Sequence, residues 1–137
     1  VLGKDVTAEF VVDDASSRGR ITVFQICWGA RDPLAVSMTL VSRPEHPALP
    51  QGSWVAPRDT LRAGLETAVG DGDVRIGPDA DRRGVRLDLV HGDRQSVVVV
   101  AASSLRSFLD RTERLVPTGQ EHTEQELDAV LADLLRT

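Results

Sequence analysis

The 137-residue sequence has no tyrosine, three phenylalanines and two tryptophans. Aromatic side chains anchor most strong binding hot spots, so their scarcity predicts an aliphatic core and a surface poor in such anchors. Cys27 is the single cysteine, which excludes an intramolecular disulfide framework and any multi-cysteine metal site and fits a reducing, cytoplasmic setting. Long apolar stretches are missing too. The longest, Val97 to Ala102, falls far short of the roughly 20 residues of a membrane helix, and no cationic-then-apolar signal opens the chain. Lys4 is the only lysine, and 16 bases against 21 acids leave a net charge of -5, which disfavours a general polyanion binder.

What is present is the composition of an ordinary globular protein, 41% apolar and 27% charged, at a length that suits one domain over 1–137. Apolar and β-branched runs at Val6 to Val12, Ile21 to Trp28 and Leu34 to Val41 predict three strands of a meander, with a short fourth at Ser53 to Ala56. Asp59 then reads as the cap of a helix reaching Gly70. The pattern restarts with strands at Val74 to Ile76, Val85 to Val90 and Val97 to Ala101. A helix capped by Ser103 or Ser104 follows, and a last helix opens on the capping box Thr123 and Glu126. The fold class is α+β, two rounds of antiparallel strands followed by helix. Aligning Val55–Arg62 with Val99–Arg106 puts a strand end, a cap and a Leu-Arg pair in register.

Two strands are apolar on both sides. Phe24, Ile26 and Trp28 alternate with Ile21, Val23 and Cys27, and Val97 and Val99 alternate with Val98 and Val100. Both faces should therefore be covered, by a packed helix or by another molecule. Phe24, Ile26, Trp28, Val97 and Val99 are the candidate subunit or partner interface. The stripe Leu127, Val130, Leu131 and Leu134 on the last helix reads as core-facing, with docking to a partner helix as the other use.

Residues able to run a reaction are not grouped. His46, His91 and His122 lie in predicted loops without metal-ligand spacing, and Cys27 reads as a buried, inert thiol. Gly70-Asp71-Gly72-Asp73 lacks the spaced acids of a calcium loop and the Lys-Ser/Thr of a phosphate loop, and reads as a turn. Asp79, Asp81 and Asp88 interleave with Arg75, Arg82, Arg83 and Arg86, as on a solvated, ion-paired sheet face. No catalytic residues, metal or cofactor are expected. An alternative reading makes Arg82, Arg83, Arg86 and Arg94 a groove for single-stranded nucleic acid, although no aromatic stacking platforms interleave with them.

Several blocks in order resemble the SsgA-like proteins, an actinobacterial family of sporulation and cell-division regulators. They are Asp32-Pro33-Leu34-Ala35-Val36, Trp54-Val55-Ala56-Pro57-Arg58-Asp59-Thr60-Leu61-Arg62-Ala63-Gly64-Leu65, Gly72-Asp73-Val74-Arg75-Ile76, Ser107-Phe108-Leu109-Asp110-Arg111-Thr112, and Val116-Pro117 with Gly119-Gln120-Glu121-His122. Leu34 and Gly77 stand where the family pattern commonly has Tyr and Trp. The resemblance implies a bell-shaped homo-oligomer, trimeric in one member, with a Whirly-like subunit. It also implies no enzymatic activity and a role in positioning the tubulin-like FtsZ at sporulation septa. The implied partners are FtsZ or another SsgA-like protein, with the membrane reached only through a partner.

Overall fold

Period-two alternation puts every second side chain on one side of a strand, and in the first half of the chain that side is apolar. The computed structural model describes residues 4–12, 21–43, 49–70, 72–121 and 124–136. In it β1 (Asp5–Val12), β2 (Ile21–Gly29), β3 (Asp32–Arg43) and β4 (Leu49–Pro57) form an antiparallel sheet in sequence order. Helix α1 (Arg58–Gly64) follows β4 directly. Strands β5 (Val74–Pro78), β6 (Gly84–His91) and β7 (Arg94–Ala101) make a second antiparallel sheet, and α2 (Ala102–Leu115) and α3 (Glu124–Leu135) complete the chain.

The two sheets bury their apolar sides against each other. Phe24, Ile26, Val36, Met38 and Leu40 meet Val85, Leu87, Leu89 and Val98 in one continuous core. The indole N–H of Trp54 on β4 donates to the Val90 carbonyl at 2.8 Å and so ties the sheets together. Helix α1 packs on β3, β4 and β5, and α2 packs on β1 and β7, so each helix bridges both sheets. This is the expected α+β architecture.

Boundaries move for identifiable reasons. β4 starts at Leu49 rather than Ser53 because a register shift after Leu40, from the Gly52 pairing to Pro50 opposite Val41, accommodates one extra residue and the proline. Pro57, with φ -60° and ψ 141°, replaces Asp59 as the N-cap of α1. Proline holds its preceding residue extended, so the strand runs up to it, and Asp59 sits in the first turn, where the helix dipole favours an acid. Likewise Ala101 precedes α2, and Ser103 and Ser104 lie inside the helix. Helix α1 ends at Gly64, short of Gly70. Val69 instead exchanges backbone hydrogen bonds with Ile76 at 2.8 and 3.0 Å, drawing the chain onto the edge of β5. Thr123, half of the expected capping box, lies outside the described residues.

The internal repeat is visible in space. Pro57 and Ala101 are equivalent N-caps with nearly the same backbone angles, and Leu61 and Leu105 are both buried. Arg62 reaches Asp110 and Glu113 of α2 at 3.0 and 2.7 Å, while Arg106 of α2 reaches Glu66 beyond α1 at 3.8 Å.

Candidate functional site

Four of the five blocks that carry the resemblance contribute to one cluster inside the molecule. Arg58 enters on the first turn of α1 and is 2% exposed. Its guanidinium lies over the Trp28 ring, 5.5 Å from the centroid. Nη1 donates to Thr112 Oγ1 at 3.3 Å, and that hydroxyl in turn donates to the Leu109 carbonyl at 2.7 Å. Nη2 faces Glu121 Oε2 at 3.6 Å, with the Glu121 side chain 7% exposed. The Trp28 indole N–H donates to the carbonyl of Pro33 at 2.9 Å. Pro33 cannot donate to a ladder, and it sits where the pairing of β2 with β3 breaks register between Cys27 and Gly29.

Glu121 arrives through a turn that its sequence dictates. The Gln120 N–H donates to the Pro117 carbonyl at 3.0 Å, and Gly119 has φ +91°, a type II arrangement that favours glycine at the third position. The Gly119 N–H donates to Glu121 Oε1. Burial pushes the Glu121 carboxyl up, but the Gly119 and Glu121 backbone N–H groups and the Arg58 guanidinium together outweigh it and hold the carboxyl below its ordinary value. The cluster therefore pins the end of β2, the start of α1, α2 and the segment before α3 to one another. A buried charged pair of this kind is a positional lock.

The candidate interface residues separate into two groups. Phe24, Ile26 and Trp28 are 1%, 1% and 2% exposed, which corrects the expectation that they present a surface, because their side of β2 is the one that faces the second sheet. Val97 and Val99 are on the outer side of β7, half-buried and 43% exposed. Among the described residues, exposed Cys27 and Ile21 on β2 and Val99 on β7 leave the outer side of each two-sided strand open. Cys27 is exposed, not buried. It shares the outer side of β2 with exposed Ile21, while only Val23, flanked by Val11 and Val41, is buried there. The stripe of α3 is not in the core either: Val130, Leu131 and Leu134 are exposed.

The four arginines of the nucleic-acid reading do not line one groove. Arg82 and Arg83 flank the β5–β6 turn and Arg94 starts β7 at the other end of the sheet, while Arg86 is held by Asp88 at 3.1 Å. Gly77 is buried against Ala68, whose Cα a Gly77 Cβ would approach to 2.9 Å. The chain backbone thus occupies the space that a larger residue would need. Leu34 is exposed at the start of β3. His91 is exposed and meets Trp54 edge-on at 6.1 Å, and His46 and His122 lie outside the described residues. Among the described residues no group of His, Cys, Asp or Glu could hold a metal ion, and no helix is long and apolar enough to cross a membrane.

Fold and cluster together define a two-sheet α+β domain whose charged signature residues lock its interior and whose outer faces remain open. Residues 23–121 match the family described as Streptomyces sporulation and cell division protein, SsgA. The chain is 36% identical over 106 residues to the sporulation-specific cell division protein SsgB of Streptomyces coelicolor, covering 76% of this chain and 74% of that one. It is 32% identical over 139 residues to SsgB of Kineococcus radiotolerans, covering 96% and 79%. The 2.60 Å crystal structure of an SsgA-like sporulation-specific cell division protein from Thermobifida fusca superposes with a TM-score of 0.77 at 27% identity, over 97% of both chains. A solved structure of S. coelicolor SsgB superposes with a TM-score of 0.73 at 29% identity, over 87% of this chain and 94% of that one. The chain belongs to the SsgA family of sporulation and cell division proteins. It is SsgB-like, and the family is non-enzymatic.

Proposed function

We propose that the protein is a homo-oligomeric adaptor of sporulation-specific division, which binds division proteins and sets where FtsZ assembles at the septum. Arg58, Thr112 and Glu121 of the signature blocks are enclosed and hold elements together; this observation carries the reading. What the molecule offers to others is surface: the outer sides of two sheets and the exposed face of α3. Recruitment to septa then follows from the partners bound, FtsZ or another SsgA-like protein, and the membrane is reached only through such a partner.

The test is co-sedimentation with GTP-assembled FtsZ from the same organism, with polymer mass followed by light scattering. The expected result is co-pelleting with altered assembly. Absence of both, with the oligomer intact, would overturn direct action on FtsZ and transfer the role to another partner.

A further inference from the structure

Strand β1 is a sheet edge left unguarded. The Ala30 N–H donates to the Lys4 carbonyl at 3.1 Å, and the β1–β2 register from Asp5 opposite Gly29 to Val12 opposite Thr22 follows without a shift. Antiparallel pairing alternates hydrogen-bonded with non-bonded residues. Val6, Ala8, Phe10 and Val12 therefore bond to β2, and Thr7, Glu9 and Val11 turn their backbone N–H and C=O groups to the free side. Edges of this kind are commonly blunted by proline, lysine or a bulge. The opposite edge of the same sheet, β4, carries Pro50 and Pro57, whereas β1 has none of the three devices.

A groove of about 380 Å³ lies between that strand and α2. Ala8, Glu9 and Phe10 form its β1 side, and Ser104, Ser107 and Arg111, which share one side of α2 at helical spacing, form the other. Ala8 and Phe10 point to the inner side of the sheet yet are only half-buried, and with Phe108 they give the groove an apolar floor. The charge it presents is positive. Arg111 is exposed and has no ion-pair partner among the described residues, and the first turn of α2 has no acid. The neighbouring acids face elsewhere. The Glu9 carboxylate is on the outer side of the sheet, where it accepts from the Gln25 amide at 3.0 Å, and Asp110 is turned to Arg62 at 3.0 Å.

We infer that this groove takes an extended acidic segment of a partner protein, which adds to β1 as a further strand of the sheet. Thr7 and Glu9 supply the backbone hydrogen bonds, as in other cases where a peptide extends an exposed sheet edge. Alternate side chains of the segment then fall on the groove side. An apolar one rests on Ala8 and Phe10, and an acid two positions along meets Arg111, with the hydroxyls of Ser104 and Ser107 at the rim. The inference rests on the adaptor reading above and names the kind of segment that such an adaptor holds.

Selection of random dodecapeptides displayed on phage against the full chain tests it, with the selected peptides synthesised and titrated by fluorescence anisotropy. The enriched peptides carry an apolar residue and an acid two positions apart. N-methylation of the alternate amides that face β1 weakens them about tenfold, since strand hydrogen bonds are lost. Glu9→Pro removes an N–H that β2 does not use, and Ser107→Trp fills the groove from an exposed position of α2. Both variants keep the wild-type circular dichroism and lose peptide binding, and Ser107→Trp decides alone if Glu9→Pro unfolds. Arg111→Glu weakens the acidic peptides, and binding returns when the peptide's acid is replaced by lysine. No enrichment, or peptides indifferent to Ser107→Trp, overturns the groove. A wild-type oligomer that Glu9→Pro dissociates puts a second copy on the edge and overturns the partner segment. Each of these leaves the co-sedimentation result standing, whereas loss of FtsZ co-pelleting beside intact peptide binding removes FtsZ and keeps the groove.

Discussion

The molecule contains the same strand-to-helix junction twice, and the difference with a structural consequence is at the first helical residue. β4 enters α1 through Pro57 and β7 enters α2 through Ala101, at backbone angles of -60° and 141° against -64° and 129°. Three positions after the first helical residue stand Leu61 and Leu105, 1% and 2% exposed. The first helical residue itself is Arg58 in one junction and Ala102 in the other. The shared backbone comes from what is common, an extended cap followed by a leucine anchored between sheets. The first turn is thus available for another task. In the first half it carries a charge that ties α1 to α2 and to the segment leading into α3.

If the leucines make the junctions equivalent, removing either should cost the same. Leu61→Ala and Leu105→Ala are each expected to lower unfolding free energy by about 3 to 5 kcal/mol, the range for a fully buried leucine. Chemical denaturation followed by Trp fluorescence measures both. A gap between them larger than about 2 kcal/mol, beyond the spread expected from local collapse, would mean that one junction is structural and the other incidental.

Arg58 is where the junctions part, so its replacement by the residue type of the other copy sharpens the contrast. Arg58→Ala is expected to cost about 2 to 3 kcal/mol, through lost packing of its stem on Trp28 and lost contacts of its guanidinium. Arg58→Met keeps a stem of similar reach without the buried charge, and should recover part of that loss. Equal losses for the two variants would show that the charge, not the packing, holds the cluster.

The contrast also explains what could be read from the sequence. Strands and repeat were legible because period-two alternation and a leucine at matched spacing are local signals. The families of contacts around Arg58 were not, because Trp28, Thr112 and Glu121 lie up to 63 positions away from it (121 minus 58), and only the topology assembles them. The resemblance marked the blocks of Arg58, Thr112 and Glu121 without saying that they touch. Period two also revealed that β2 is apolar on both sides, yet not which side faced the second sheet, so Phe24, Ile26 and Trp28 were assigned to a surface. The stripe on α3 failed for the converse reason: an amphipathic pattern specifies that a face needs a cover, and not that the cover is in the same subunit. Asp59 lost the cap to Pro57 because proline's effect on the residue before it extends the strand, a stronger local constraint than a cap hydrogen bond.

The lock depends on the turn that returns Glu121, which the second junction lacks. No atom lies within 4 Å of where a Gly119 Cβ would stand, so Gly119→Ala should cost only its conformational penalty, about 1 to 2 kcal/mol. Thermal unfolding measures it, and Gly119→Asn should lose less. The same turn makes a pH prediction. The folded carboxyl of Glu121 lies below its ordinary value of 4.5, so its contribution is complete above that value and is lost as pH falls through the lowered one. Arg58→Met and Gly119→Ala should both flatten this acid limb, whereas Leu105→Ala should shift the whole curve and keep its slope.

The smallest effect separates the paired arginines that follow the two leucines. Arg62 is 32% exposed and touches two acids, at 2.7 and 3.0 Å, whereas Arg106 is about half exposed and reaches one at 3.8 Å. Exposed pairs contribute little, so Arg62→Ala should cost about 1 kcal/mol and Arg106→Ala less than about 0.5. Raising salt should shrink the first toward the second, because screening acts on whatever part of the Arg62 network is in water. Equal costs at low salt would mean that the α1–α2 contact is symmetric in energy as well as in backbone. In that case the asymmetry between the two halves would reside in the Arg58 lock alone.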